Sequence, residues 1–116
     1  PSIEKVVTPT PTLDSTTSIF DAIEYLIIND CEHAFVQHEG EMAGIISASQ
    51  LLENHKSQDM LALQVRDYME PLLTIKANEL RARAAEIMSE HGVEFIAVTN
   101  QNGVLLGVAS LGNLNS

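Results

Sequence analysis

Cysteine occurs once, at Cys31, so no intrachain disulfide can form. That usage suits a reducing compartment, and a cytoplasmic location is expected. Cations are scarce: 6 Lys and Arg stand against 16 Asp and Glu, for a formal charge of −10. A surface so acidic repels phosphate backbones and anionic bilayers, which excludes nucleic acid and membrane as partners. No apolar run approaches the roughly 20 residues a membrane-spanning helix needs, and no signal-peptide pattern stands in the sequence. Pro1 at the start fits either a processed initiator Met or a piece of a longer protein.

The chemistry-bearing patterns are also missing. His33, His38, His55 and His91 are scattered without HxH or HxxxH spacing, and there is no CxxC pair, so no transition-metal site is expected. No nucleophile–base motif, phosphate-binding glycine loop or recognisable carboxylate pair is present, which argues against an enzyme. Asp21, Glu24, Glu86 and Glu90 fall at polar helix positions, where a solvated face accounts for them. Cys31 has no basic neighbour to lower its pKa and reads as a small hydrophobe.

What the chain does have is a repeat. Shifting the first half by 62 positions superposes Pro9 on Pro71, Thr12 on Thr74, Ala22 on Ala84, Glu24 on Glu86, Glu32 on Glu94 and Val36 on Val98. One extra residue in a polar turn, where an insertion costs least, then superposes Gly40 on Gly103, Gly44 on Gly107, Ser47 on Ser110 and Leu51 on Leu114. Glycines and prolines in register make chance a poor explanation. The 45% of hydrophobic residues is enough for a shared core, though one half alone would leave a sheet face uncovered.

Each copy reads strand, helix, strand, strand, helix. Thr12-Leu13 and Leu73-Thr74-Ile75 are short extended stretches. Ile19, Ala22, Ile23, Leu26 and Ile27 recur at helical spacing behind a Ser18-x-x-Asp21 capping box; Leu80, Ala84, Ile87, Met88 and His91 do the same in the second copy. His91, at a helix C-terminus, reads as a cap. Hairpins follow, Ala34–Val36 with Met42–Ile46 around Gly40, and Phe95–Val98 with Val104–Ala109 around Asn100–Gly103. Ser47 and Ser110 can each cap a second helix. The copies are placed at residues 1–56 and 65–116, joined by 57–64. The polar stretch Glu53–Gln64 is expected to be partly helical, and Met60–Leu63 to cover the core.

These residues resemble the tandem cystathionine-beta-synthase (CBS) repeat. Its motifs are matched by Val7-Thr8-Pro9, Ser15-Thr16-Thr17-Ser18-Ile19 and Gly44-Ile45-Ile46-Ser47-Ala48-Ser49-Gln50 in one copy. The other offers Met69-Glu70-Pro71, His91-Gly92-Val93, Asn100-Gln101-Asn102-Gly103 and Gly107-Val108-Ala109-Ser110-Leu111-Gly112-Asn113. The resemblance implies an α+β fold, two pseudo-symmetric β-α-β-β-α CBS repeats packed as one disc-like Bateman module. It also implies a non-catalytic regulatory function, sensing an adenosine-containing ligand in clefts between the repeats, with a homodimer and an attached effector domain as partners. The ligand implied is AMP or another adenosine nucleotide, although no residue here fixes one.

By the same resemblance Thr8, Pro11 and Leu13, or Glu70, Leu73 and Ile75, approach the base. Cys31 with Glu32, or Val93 with Glu94, line it, and Ser47 with Gln50, or Ser110 with Asn113, face the ribose and phosphates. Free N–H groups at a helix start also attract anions. The family's ribose-binding Asp is Gln50 in one copy and Asn113 in the other, and an amide offers one accepting oxygen where a carboxylate offers two. No Lys or Arg joins the set. Two alternatives therefore stand beside the sensor: a ligand-free dimerisation and protein-interaction module, and a divalent-cation-responsive domain. If one cleft binds, Ser110 and Asn113 mark it, for a nucleoside or monophosphate.

Overall fold

The computed structural model describes residues 2–54 and 60–114, with side chains except at positions 54, 113 and 114. The chain divides into two compact units, Thr10–Leu72 and Leu73–Ser116, the second taking Pro1–Pro9 with it. Each repeat's leading segment thus packs with the hairpin of the other repeat.

In the first unit β1 (Thr12–Asp14) runs parallel to β2 (His33–His38), which pairs antiparallel with β3 (Glu41–Ser47); β4 (Glu70–Pro71) edges β3. Between β1 and β2 lies α1 (Ile19–Ile28). Ser18, in extended conformation, starts it by accepting the Asp21 N–H at 3.0 Å, half of the expected capping box. Ile19, Ala22, Ile23 and Leu26 are buried, the i, i+3, i+4, i+7 stripe that one helix face requires. Ile27 departs from the expectation: it is 64% exposed, because it sits one position round the helix from Leu26. Val36, Ile46, Leu51 and Val65 complete the core, and half-buried Met60 and Leu63 pack against it. The hairpin turns on Glu39 (φ 51°) and Gly40 (φ 85°), the two positive φ angles of a two-residue type I′ loop. After β3 comes α2 (Ala48–Asn54); the rest of the joining segment, 55–59, lies outside the described residues.

The second unit repeats the plan with β5 (Thr74–Lys76) parallel to β6 (Phe95–Thr99), β6 antiparallel to β7 (Leu105–Ser110), and helices α3 (Arg81–His91) and α4 (Leu111–Leu114). Its core gathers Ile3, Ile75, Ala84, Met88, Ile96, Val98 and Ala109. Leu80, expected on the buried helix face, is the N-cap residue and 56% exposed; Ile87 is half-buried and His91 exposed. The His91 ring Nδ1 lies 2.9 Å from the Ile87 carbonyl, as a helix-end cap should, and Gly92 closes the helix at φ 66°.

The register repeats with the sequence. Leu13 pairs with Val36 as Ile75 pairs with Val98, and Val36 faces Gly44 as Val98 faces Gly107. Both hairpins carry their irregularity at the same step, after Val36 and after Val98. The extra residue lies in the second turn, where Asn100 Oδ1 accepts the N–H groups of Asn102 and Val104. Gly44 and Gly107 are alike for a steric reason. A Cβ on Gly44 would come within 2.6 Å of the Glu70 carbonyl oxygen, and one on Gly107 within 2.1 Å of the Thr8 carbonyl oxygen.

Candidate functional site

In the first unit the β3–α2 junction is the centre of the site. Ser47 is buried, and its hydroxyl accepts the Gln50 N–H at 3.2 Å. The Ala48 N–H donates to the Glu32 carbonyl at 2.8 Å, and the Ser49 N–H to the Glu32 carboxylate at 3.1 Å. The Ser49 hydroxyl donates to the same carboxylate oxygen. Every N–H of the first three residues of α2 therefore has an acceptor inside the unit. This corrects the expectation of free amides there: the chain supplies its own anion, because Glu32, at the turn into β2, lies within bonding reach of Ser49.

Gln50 is also engaged, its side-chain amide donating to a Glu70 carboxylate oxygen at 3.3 Å. Pro11 offers its carbonyl to the Phe35 N–H at 2.8 Å, Leu13 packs on the core, and the Cys31 thiol reaches the Asn29 carbonyl at 3.3 Å. Beside them opens a groove of about 450 Å³ with Leu26, Ile27, Cys31 and Leu52 as apolar walls and Asp30, Glu32 and Ser49 as polar edges. Asp30 is held there at φ 53°.

In the second unit the Leu111 N–H donates to the Glu94 carbonyl at 2.8 Å, the counterpart of Ala48 to Glu32. Ser110 ends β7 and leads into α4, Val93 is half-buried against the core, Ile75 is buried, and the Leu73 carbonyl accepts the Ala97 N–H. Asn113 belongs to α4, and its side chain lies outside the described residues. The structure regroups the set drawn from the sequence. Thr8 exchanges backbone hydrogen bonds with Val108 in the second unit, whereas Pro11 and Leu13 belong to the first. Glu70 joins Ile45 and Gln50 in the first, whereas Leu73 and Ile75 belong to the second.

Ser49 was missed by sequence reasoning, although the superposed repeats carry a signal: Gly112 stands at its place. Buried Ser15 was missed too; its hydroxyl lies 2.7 Å from His38 Nδ1. With 1% exposure it cannot meet a substrate, and its bonds to Gln37 and Arg66 mark it as a structural pin. Burial lowers the His33 pKa below 6.5 against the opposing pull of Glu32. Hydrogen bonds from Thr16 lower that of Asp14. Among the described residues no three His, Cys, Asp or Glu side chains gather as metal ligands, and no helix is long and apolar enough to cross a membrane.

Exposed apolar surface is concentrated on α1 and α2. Phe20, Ile27, Ile28 and Leu52 edge a second groove of about 290 Å³ floored by Ile23 and Met60. The matching helix α3 instead carries an Arg83–Glu86 ion pair at 3.0 Å and exposed Glu90.

The CBS domain model matches the chain twice, at residues 3–56 and 65–115. Among solved structures, a conserved CBS domain protein of unknown function from Thermoplasma acidophilum superposes with TM-score 0.81 at 24% identity, covering 99% of this chain and 67% of that one. A CBS domain protein from Pyrobaculum aerophilum complexed with AMP gives TM-score 0.77 at 21% identity, with 97% and 89% covered. The CBS domain of a bacterial CNNM/CorC family Mg2+ transporter in complex with ATP gives 0.78 at 15%, with 98% and 84% covered. No curated protein matches in sequence.

Proposed function

Because the chain belongs to the CBS domain family, in which it carries two copies, we propose that it is a non-catalytic regulatory module of the cytoplasm that senses an adenosine-containing ligand. The observation that carries this reading is the repeated junction, Ala48 to Glu32 and Leu111 to Glu94, which sets a serine-led helix start beside the entry to the second strand in both copies. The AMP and ATP complexed with similarly folded CBS domains support that ligand class. A ligand that prefers one arrangement of the module shifts its population and biases whatever is attached to it.

The second copy is the better binding place. The first-copy amides are already satisfied and Gln50 is tied to Glu70, whereas the second copy has Gly112 where the first has Ser49. Among the described residues named for either site there is no Lys or Arg, so a nucleoside or monophosphate fits better than a triphosphate. The apolar face of α1 and α2 supports a homodimer in which first copies meet, since α3 presents charge where α1 presents Phe20, Ile27 and Ile28.

Calorimetric titration of adenosine, AMP, ATP, S-adenosylmethionine and Mg²⁺ into the chain tests the sensor. AMP or adenosine should bind once per chain and raise the melting temperature. Silence from every adenosine compound would leave a dimerisation module, and a response to Mg²⁺ alone would make it a cation-responsive domain.

A further inference from the structure

We infer that Glu32 is a built-in anion that holds the start of α2 and bars a phosphate-bearing ligand from the first copy. The inference rests on the sensor reading above and adds the Glu32–Ser49 clamp as the feature that makes its two copies unequal. Four donors converge at this junction, and each already has an acceptor: the Ala48 amide goes to the Glu32 carbonyl, the Ser49 amide and hydroxyl to the Glu32 carboxylate, and the Gln50 amide to Ser47. A phosphate arriving there must displace a carboxylate from charge-assisted bonds and then share the groove of about 450 Å³ with Glu32 and Asp30, with no cation among its described lining residues.

The second copy has the same acid, Glu94, and the same backbone bond to Leu111, but Gly112 has no hydroxyl with which to hold a carboxylate. The clamp on the acid thus differs between the copies by one side chain, Ser49 against Gly112. It can be moved, because a Cβ built on Gly112 meets nothing within 4 Å.

AMP is titrated by calorimetry into the wild type, Glu32→Gln, Ser49→Gly and Gly112→Ser, with melting curves run on each. The wild type should bind one AMP per chain. Glu32→Gln, which removes the charge, and Ser49→Gly, which removes the clamp, should each add a second binding event. Gly112→Ser should weaken the original event about tenfold, the scale of one charge-assisted hydrogen bond. One AMP per chain with unchanged affinity in all three variants overturns the inference and leaves the sensor standing, as does a wild type that already binds two. AMP bound only by Glu32→Gln or Ser49→Gly supports the inference while removing the wild type as an AMP sensor. No binding by any of the four overturns both.

Discussion

The two copies share a backbone and differ in what they show to solvent. Both use a parallel β–α–β entry, an antiparallel hairpin with its irregularity at the same step, and a glycine where a neighbouring strand crosses. Some of the positions held in common are ones where the backbone leaves no choice. Gly44 and Gly107 lie under carbonyl oxygens, and Ala22 and Ala84 are fully buried in their helices. On the outer faces of α1 and α3 the copies have separated. Four large apolar side chains, Phe20, Tyr25, Ile27 and Ile28, are exposed on α1, and an ion pair lies on α3. A duplicated fold can thus keep its geometry while its two helix faces diverge.

The comparison breaks hardest at the crossing glycines. Gly107→Ala should cost about 3 kcal/mol, near the upper end for overpacking, because its Cβ would meet backbone that cannot swing away. Gly44→Ala should cost less, about 2 kcal/mol, since two of its three clashing neighbours belong to the Met69 side chain. Denaturant melts that rank the pair the other way would show that the second-copy crossing is the looser one.

Association comes next. Ile27→Asp places a charge at the centre of the proposed dimer face and should weaken self-association about thirtyfold, the value of one buried isoleucine. Arg83→Asp on α3 should leave the sedimentation profile unchanged. Equal loss from both substitutions would mean that the copies associate through both helices.

Helix starts offer a smaller contrast. Ser18 caps α1, whereas α3 begins at Leu80, which has no side-chain acceptor. Ser18→Ala should therefore destabilise by about 1 kcal/mol and Leu80→Ser stabilise by a few tenths to about 1 kcal/mol.

The smallest effect is a pH dependence confined to the first copy. His33 has its pKa lowered by burial, so the unfolded chain binds its proton more readily than the folded one. Its contribution to stability is full above the unfolded value near 6.5 and is lost as pH falls through the folded pKa. The wild type should lose more melting temperature between pH 7 and pH 5 than His33→Gln does, and parallel curves would show that His33 titrates normally.

Much of this was legible in ten residue identities. The one-residue gap predicted in a turn is found in the Asn100–Gly103 turn, and Ser18, Ser47 and His91 cap as their types and positions suggested. The errors were of two kinds. Ile27 and Leu80 fit an apolar helix pattern, but period alone does not tell a core residue from an exposed one at the stripe's edge or at the first turn. The amides expected to be free at the start of α2 are taken by Glu32, a partner that chain order does not reveal.

Sequence by itself determined the duplication, the order of elements and the family, because hydrophobic period, glycine placement and capping are local rules that each copy obeys separately. Tertiary structure decided which segments share a unit, that Gln50 binds Glu70, and that Glu32 already satisfies the start of α2. Those pairings join residues 17 to 20 positions apart across a hairpin or a joining segment. Their partners are selected by where the folded backbone brings side chains within 3.5 Å, which no spacing along the chain encodes.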